Sequence, residues 1–164
     1  KIERAEKSFI TAFVLVMAIM TVGSTLVFLF GAQLVHFFID DPAVIETGAR
    51  MFKITAMASW VFAILFVFLG VFNGAGQTTI SMIINIGRLW IIRIPLVFIL
   101  SGTLLEVPFF ADSFAKPFLE SIAFPLSIYP YDSLWWSMLI SNVIMAFVAF
   151  SIYKSGSWKH KKID

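Results

Sequence analysis

Residues 8–39, 54–87 and 133–153 form three runs without a single Asp, Glu, Lys or Arg. Each reaches or exceeds the roughly 20 residues that carry a helix across about 30 Å of hydrocarbon, and none reads as a cleaved signal peptide. The second run is too long for one crossing. "NGAGQTT", from Asn73 to Thr79, interrupts it with two glycines and a polar cluster, which is turn composition. The pattern therefore predicts four transmembrane helices, near residues 8–38, 54–72, 80–101 and 133–153, and an all-α polytopic helical bundle.

The long connection 103–132 contains Pro108, Pro117, Pro125 and Pro130 and does not form a fifth span. Its middle, "FFADSFAKPFLESIAF", sets Phe110, Phe114, Phe118 and Ile122 in one row and Asp112, Lys116 and Glu120 in another. That spacing predicts an amphipathic segment lying on the outer membrane surface, with a lid over an outward-facing cavity as the second reading.

Composition changes the picture only by agreeing with it. The chain is 60% hydrophobic and 13% charged, against about half and a quarter in soluble domains. Charge then sets direction. Lys1, Arg4 and Lys7 precede span one, and Lys154, Lys159, Lys161 and Lys162 follow span four. The two intervening outer connections carry more acid than base, so both ends of the chain are expected in the cytoplasm, as a multi-pass protein of the cell membrane. The net charge of +2 reflects topology and gives no reason to invoke nucleic acid.

Enzyme chemistry finds little support. The chain has no cysteine, its two histidines are His36 and His160, and no GxSxG, HExxH or Walker-type loop is present. No catalytic residue, metal site or cofactor is expected. Trp135, Trp136 and Trp158 stand where aromatic belt anchors belong. "GVFNG" has GxxxG spacing but runs into the turn, which reads as close approach of helix ends. His36 is expected at the interface, with proton sensing as its other role. The terminal "KKID" is accounted for by the cytoplasmic end.

Arg88 and Arg93, in "INIGRLWIIRIP", are the costly residues. Counted from Thr79, they lie about 13 and 21 Å along a helix, in the middle of a slab of about 30 Å. Two central arginines cost about 5–7 kcal/mol on the insertion scale, while the apolar residues of the span return about 4–8. At 100° per residue Asn85 lies between them, and the three define a polar arc about 140° wide, opposite Ile83, Trp90, Ile94 and Phe98. Such an arc faces protein or a water-filled cavity. Asn85, Arg88 and Arg93 are therefore the candidate substrate-binding or interior residues, and structural and ligand-contacting roles are both open. Because spans one, two and four hold no acid, the partners of the arginines are expected from a missing part of the chain or from water.

"NGAGQTTISMIINIGRLWIIRIPL" resembles the junction of the second and third of these spans in multidrug and toxic compound extrusion (MATE) transporters. "RAEKSF", "FIDDPAVIETGARMFKI", "LWWSMLISN" and "KSGSWKHK" agree in order, and only the 104–131 connection is longer than usual. The resemblance implies the last four helices of a twelve-helix transporter, forming part of its six-helix C-terminal lobe. It further implies efflux of organic, drug-like compounds by alternating access, driven by H⁺ or Na⁺. Implied partners are the N-terminal lobe, the first helices of the C-terminal lobe, a small organic substrate and lipid. Some members carry an acidic coupling residue on the helix matching span two. "ITAMASWVFAILFVFLGVFNG" has none, so the coupling ion is expected to bind mainly outside this chain, as in an archaeal or bacterial type that couples through the N-terminal lobe. A lipid-linked saccharide flippase of the wider superfamily, and a non-transporting four-helix assembly protein, are the alternatives.

Overall fold

A computed structural model describes residues 2–103, 117, 121 and 131–156. The expected amphipathic segment, Trp158, His160 and the terminal lysines lie outside the described residues. The elements are α1 (Ile2–His36), α2 (Pro42–Gly74), α3 (Thr78–Ile86), a π-helical segment (Gly87–Arg93), α4 (Ile94–Leu100) and α5 (Asp132–Ser155). Lys7–His36, Pro42–Gly74, Thr78–Leu100 and Asp132–Ser155 are each long and apolar enough to cross a membrane. Among the described residues the fold is all-α.

Helix boundaries follow local chemistry more closely than hydropathy does. α2 begins at Pro42, well before the apolar run, because Asp41 caps it: its Oδ1 accepts from the Ala43 N–H at 2.8 Å, with proline in the first helical position. Glu46, Arg50 and Lys53 therefore lie inside the helix, on the turns that project beyond the apolar stretch. At the other end Gly76, at φ 71°, makes the reversal into α3, and the Gln77 N–H returns to the Phe72 carbonyl at 2.8 Å. α5 ends on Gly156, also left-handed at φ 74°.

α1 packs along α2, and α5 packs against α2 on one side and the α3–α4 helix on the other. The α1–α2 seam is close because of two glycines. A Cβ at Gly31 would stand 2.8 Å from the Phe52 Cβ, and one at Gly48 would stand 2.6 Å from a Val35 methyl. The role expected of "GVFNG" falls here instead, since a Cβ at Gly70 or Gly74 would meet nothing within 4 Å. Val35 is β-branched and cannot swing away. Gly48→Leu should thus separate the seam at about 1–3 kcal/mol, whereas Gly70→Leu should be near neutral. Thermal unfolding of the two variants in detergent checks this, and equal midpoints would refute it.

The interior divides along its length. Where α1 begins and α5 ends, Leu65, Phe68, Leu69, Phe72, Ile84 and Ala149 form the buried core. Phe9 closes that core, with ring centroids 5.0 Å from Tyr153 and 5.8 Å from Phe68, within the range of favourable aromatic pairs. Toward the other end of α5 its buried residues are Asp132, Ser133, Ser137, Ser141 and Asn142. Serines at four-residue spacing let neighbouring backbones approach. Their hydroxyls are satisfied within the helix where Ser137 donates to the Leu134 carbonyl at 2.8 Å and Ser141 to the Met138 carbonyl at 3.0 Å. The arginines lie where these two halves meet.

Candidate functional site

The α3–α4 helix is continuous, but its middle is wound as a π-helix over the seven residues Gly87–Arg93, "GRLWIIR". Pro95 supplies a physical reason. It has no N–H to give the Ile91 carbonyl, and its ring would press on that carbonyl in an α-helix. A wider turn just upstream relieves the conflict, and such turns recur at functional sites. A π-helix turns less per residue than an α-helix, so Arg93 lies nearer the side of Arg88 than the offset of about 140° that α-helical phasing gives. The arc drawn from α-helical phasing is narrowed accordingly.

Gly87 brings this turn against α5: a Cβ there would lie 2.6 Å from the Met145 methyl. With the backbones close, the side chains of the next turn reach across. Arg88 Nη1 donates to the Asn142 Oδ1 at 3.2 Å, and its Nη2 donates to the Asn85 Oδ1, also at 3.2 Å. Asn85 is itself held, its Nδ2 donating to the Ser81 carbonyl at 2.9 Å. Arg93 Nε donates to the Ser141 Oγ at 3.4 Å. The Arg88 guanidinium also stands 5.0 Å from the centre of the Phe62 ring on α2, a cation–π distance worth about 0.5–2 kcal/mol.

These contacts differ from the expectation in one respect. The partners within reach are neutral: two amide oxygens and a hydroxyl, all on this chain. Hydrogen bonds to a charged group contribute about 1.5–3 kcal/mol each when well made. At 3.2–3.4 Å these are long for the type and stand at the weak end. They offset part of the insertion cost of two arginines and leave the charge itself uncompensated. In α2 to α5 the acids are Glu46 and Asp132, each in the first turns of its helix. Asp132 is nine residues from Ser141, about 13 Å along α5.

The face opposite the arginines is uncovered: Ile83 is 60% exposed and Trp90 68%, with Ile94 and Phe98 exposed as well. Arg88, Arg93 and Asn85 are each half-buried. Asn142 and Ser141 are site residues that charge alone does not mark. Their signal was available in "SMLISN", where two serines at four-residue spacing end on an asparagine in mid-span. Elsewhere, His36 Nδ1 lies 3.3 Å from the Asp40 carboxylate at the exposed end of α1, remote from this cluster in sequence and helix position.

Four apolar helices, closely packed through glycine and serine and carrying a polar arginine cluster at mid-height, define a multi-pass membrane protein with a polar interior seam. Residues 1–99 match the profile of the MatE family, and the chain belongs to that family. It is also 33% identical over 81 residues to the "Probable multidrug resistance protein NorM" of Thermotoga maritima, a match covering 49% of this chain and 17% of that protein. The chain thus spans about a sixth of the length of the curated relative it matches. No solved structure matches it.

Proposed function

We propose that this chain is the C-terminal portion of a cation-coupled exporter of organic, drug-like compounds, seated in the cell membrane with both chain ends in the cytoplasm. Membership of the MatE family carries the reading, and the relative named as a multidrug resistance protein supports it. Asn85, Arg88 and Arg93, with Asn142 and Ser141, are the polar residues it assigns to the lobe interior. The remaining lobe, its missing helices, lipid and a small organic substrate are the partners. The coupling ion, H⁺ or Na⁺, binds mainly outside these residues, since no acid stands within the apolar stretches of α2 to α5.

Cells expressing the full-length protein should extrude ethidium faster than control cells, and the difference should vanish when the H⁺ or Na⁺ gradient is collapsed. Cysteines introduced at Asp40 and Ser155 should label from opposite sides of the membrane. Membrane-inserted protein that moves no cationic dye would overturn the exporter reading. Headgroup-dependent movement of a lipid-linked saccharide by the protein reconstituted in vesicles would replace it with the flippase, and no movement of either would favour an assembly protein.

A further inference from the structure

We propose that Arg88 and Arg93, together with the Asn142 amide, form a receptor for a single oxyanion, a carboxylate or phosphate group, at mid-height in the bundle. The observation behind it is an excess of donors. A guanidinium carries five N–H groups and an amide nitrogen two, and none of these accepts. Arg88 commits one N–H to Asn142 and one to Asn85, while its Nε is buried without a partner among the described residues. Asn142 is fully buried, and its Nδ2 likewise has none. The Asn142 Oδ1 is taken by Arg88, which leaves the amide nitrogen as the side still to be satisfied.

Arg93 completes the set. Its Nε reaches a serine hydroxyl whose own proton goes to the Met138 carbonyl, so that oxygen is already shared. Every unsatisfied group at the cluster is therefore a donor, and two of them carry positive charge. The complement of this arrangement is a group with several lone pairs and a negative charge. A carboxylate or phosphate has both, and offers two oxygens in the plane that a guanidinium fork matches. Arg88 and Arg93 reach the adjacent residues Asn142 and Ser141 of α5, which places both forks where they can address one such group.

The oxyanion has two possible sources: an acidic side chain elsewhere in the protein, or the anionic group of a small organic ligand. The second source rests on the exporter reading, and it adds organic acids and zwitterions to the substrate class, their anionic group docking on the guanidinium forks. Equilibrium dialysis distinguishes the two in full-length protein, with radiolabelled benzoate and inorganic phosphate as the probes. If the site receives a ligand, the parent protein binds one of them, Arg93→Gln weakens binding at least tenfold, Arg93→Lys weakens it less, and Trp90→Leu leaves it unchanged. If a protein acid fills the site, the parent binds neither. Alanine replacement of that one acid, found by replacing each membrane-embedded acid in turn, then creates benzoate binding that Arg93→Gln removes. Thermal unfolding of each variant confirms that it is folded.

Absence of arginine-dependent binding in the parent and in every acid-to-alanine variant would overturn the inference. Ethidium efflux with no such binding removes the oxyanion site alone. Arginine-dependent binding in a protein that exports nothing removes the exporter reading alone.

Discussion

Asn142→Leu is expected to lower the stability of the folded protein by about 2 kcal/mol. Leucine keeps most of the volume at a fully buried position, so the packing cost is small. What is lost is the oxygen that accepts from Arg88 across the contact between the π-helical segment and α5. Hydrogen bonds between neutral groups of membrane helices average only about 0.6 kcal/mol, because the separated helices find other partners. A guanidinium in mid-membrane has fewer substitutes, and stranding one partner of a buried charge approaches 3–5 kcal/mol as an upper limit. The half-buried state of Arg88 brings the figure below that limit. Trp90→Leu, on the uncovered face, should stay within about 0.5 kcal/mol of the parent. Size-exclusion chromatography after graded heating reads both variants. Matching midpoints for Asn142→Leu and the parent would show that the Arg88 contact carries no stability.

Pro95→Ala is expected to act in the opposite sense, leaving the fold intact while reducing efflux about tenfold or more, equivalent to about 1.4 kcal/mol of barrier. Alanine restores an N–H at position 95 and removes the ring that presses on the Ile91 carbonyl. Nothing then favours the wide turn, and residues 87–93 relax toward α-helical winding. In that winding positions 88 and 93 diverge by about 140° around the axis, so one arginine must leave its α5 partner. The helix itself gains, since alanine exceeds proline in helix interiors by about 3 kcal/mol. Measured at matched membrane levels, undiminished efflux by Pro95→Ala would show that the phasing of the two arginines has no bearing on transport.

The hydropathy of the chain made its four helices legible, and "NGAGQTT" marked the reversal that Gly76 makes. It did not mark where α2 starts. Hydropathy reports where the membrane-like composition begins, while the helix starts where Asp41 can cap it and Pro42 can enter it. Asn85, Arg88 and Arg93 stood out because charge within an apolar run is expensive. Their surroundings were harder to read for two reasons. A π turn shifts phase without altering composition, and Pro95 was its one trace. The acceptors were sought among acids, whereas Ser141 and Asn142 meet the arginines without carrying charge. The packing glycines were misread for a related reason: GxxxG spacing at Gly70 and Gly74 records sequence, and the close contacts at Gly31 and Gly48 depend on which helix lies alongside.

The Arg88–Asn142 and Arg93–Ser141 contacts join residues 54 and 48 positions apart. At about 5–20 residues per second, the ribosome needs roughly 3–10 s after making the arginines before it has made their acceptors. Throughout that interval α3–α4, whose own insertion balance is near zero, stands at the translocon with its guanidiniums lacking their α5 acceptors. Its partition into lipid therefore waits on a later helix, and the length of the 101–131 connection becomes a clock setting for membrane assembly as well as a matter of surface structure.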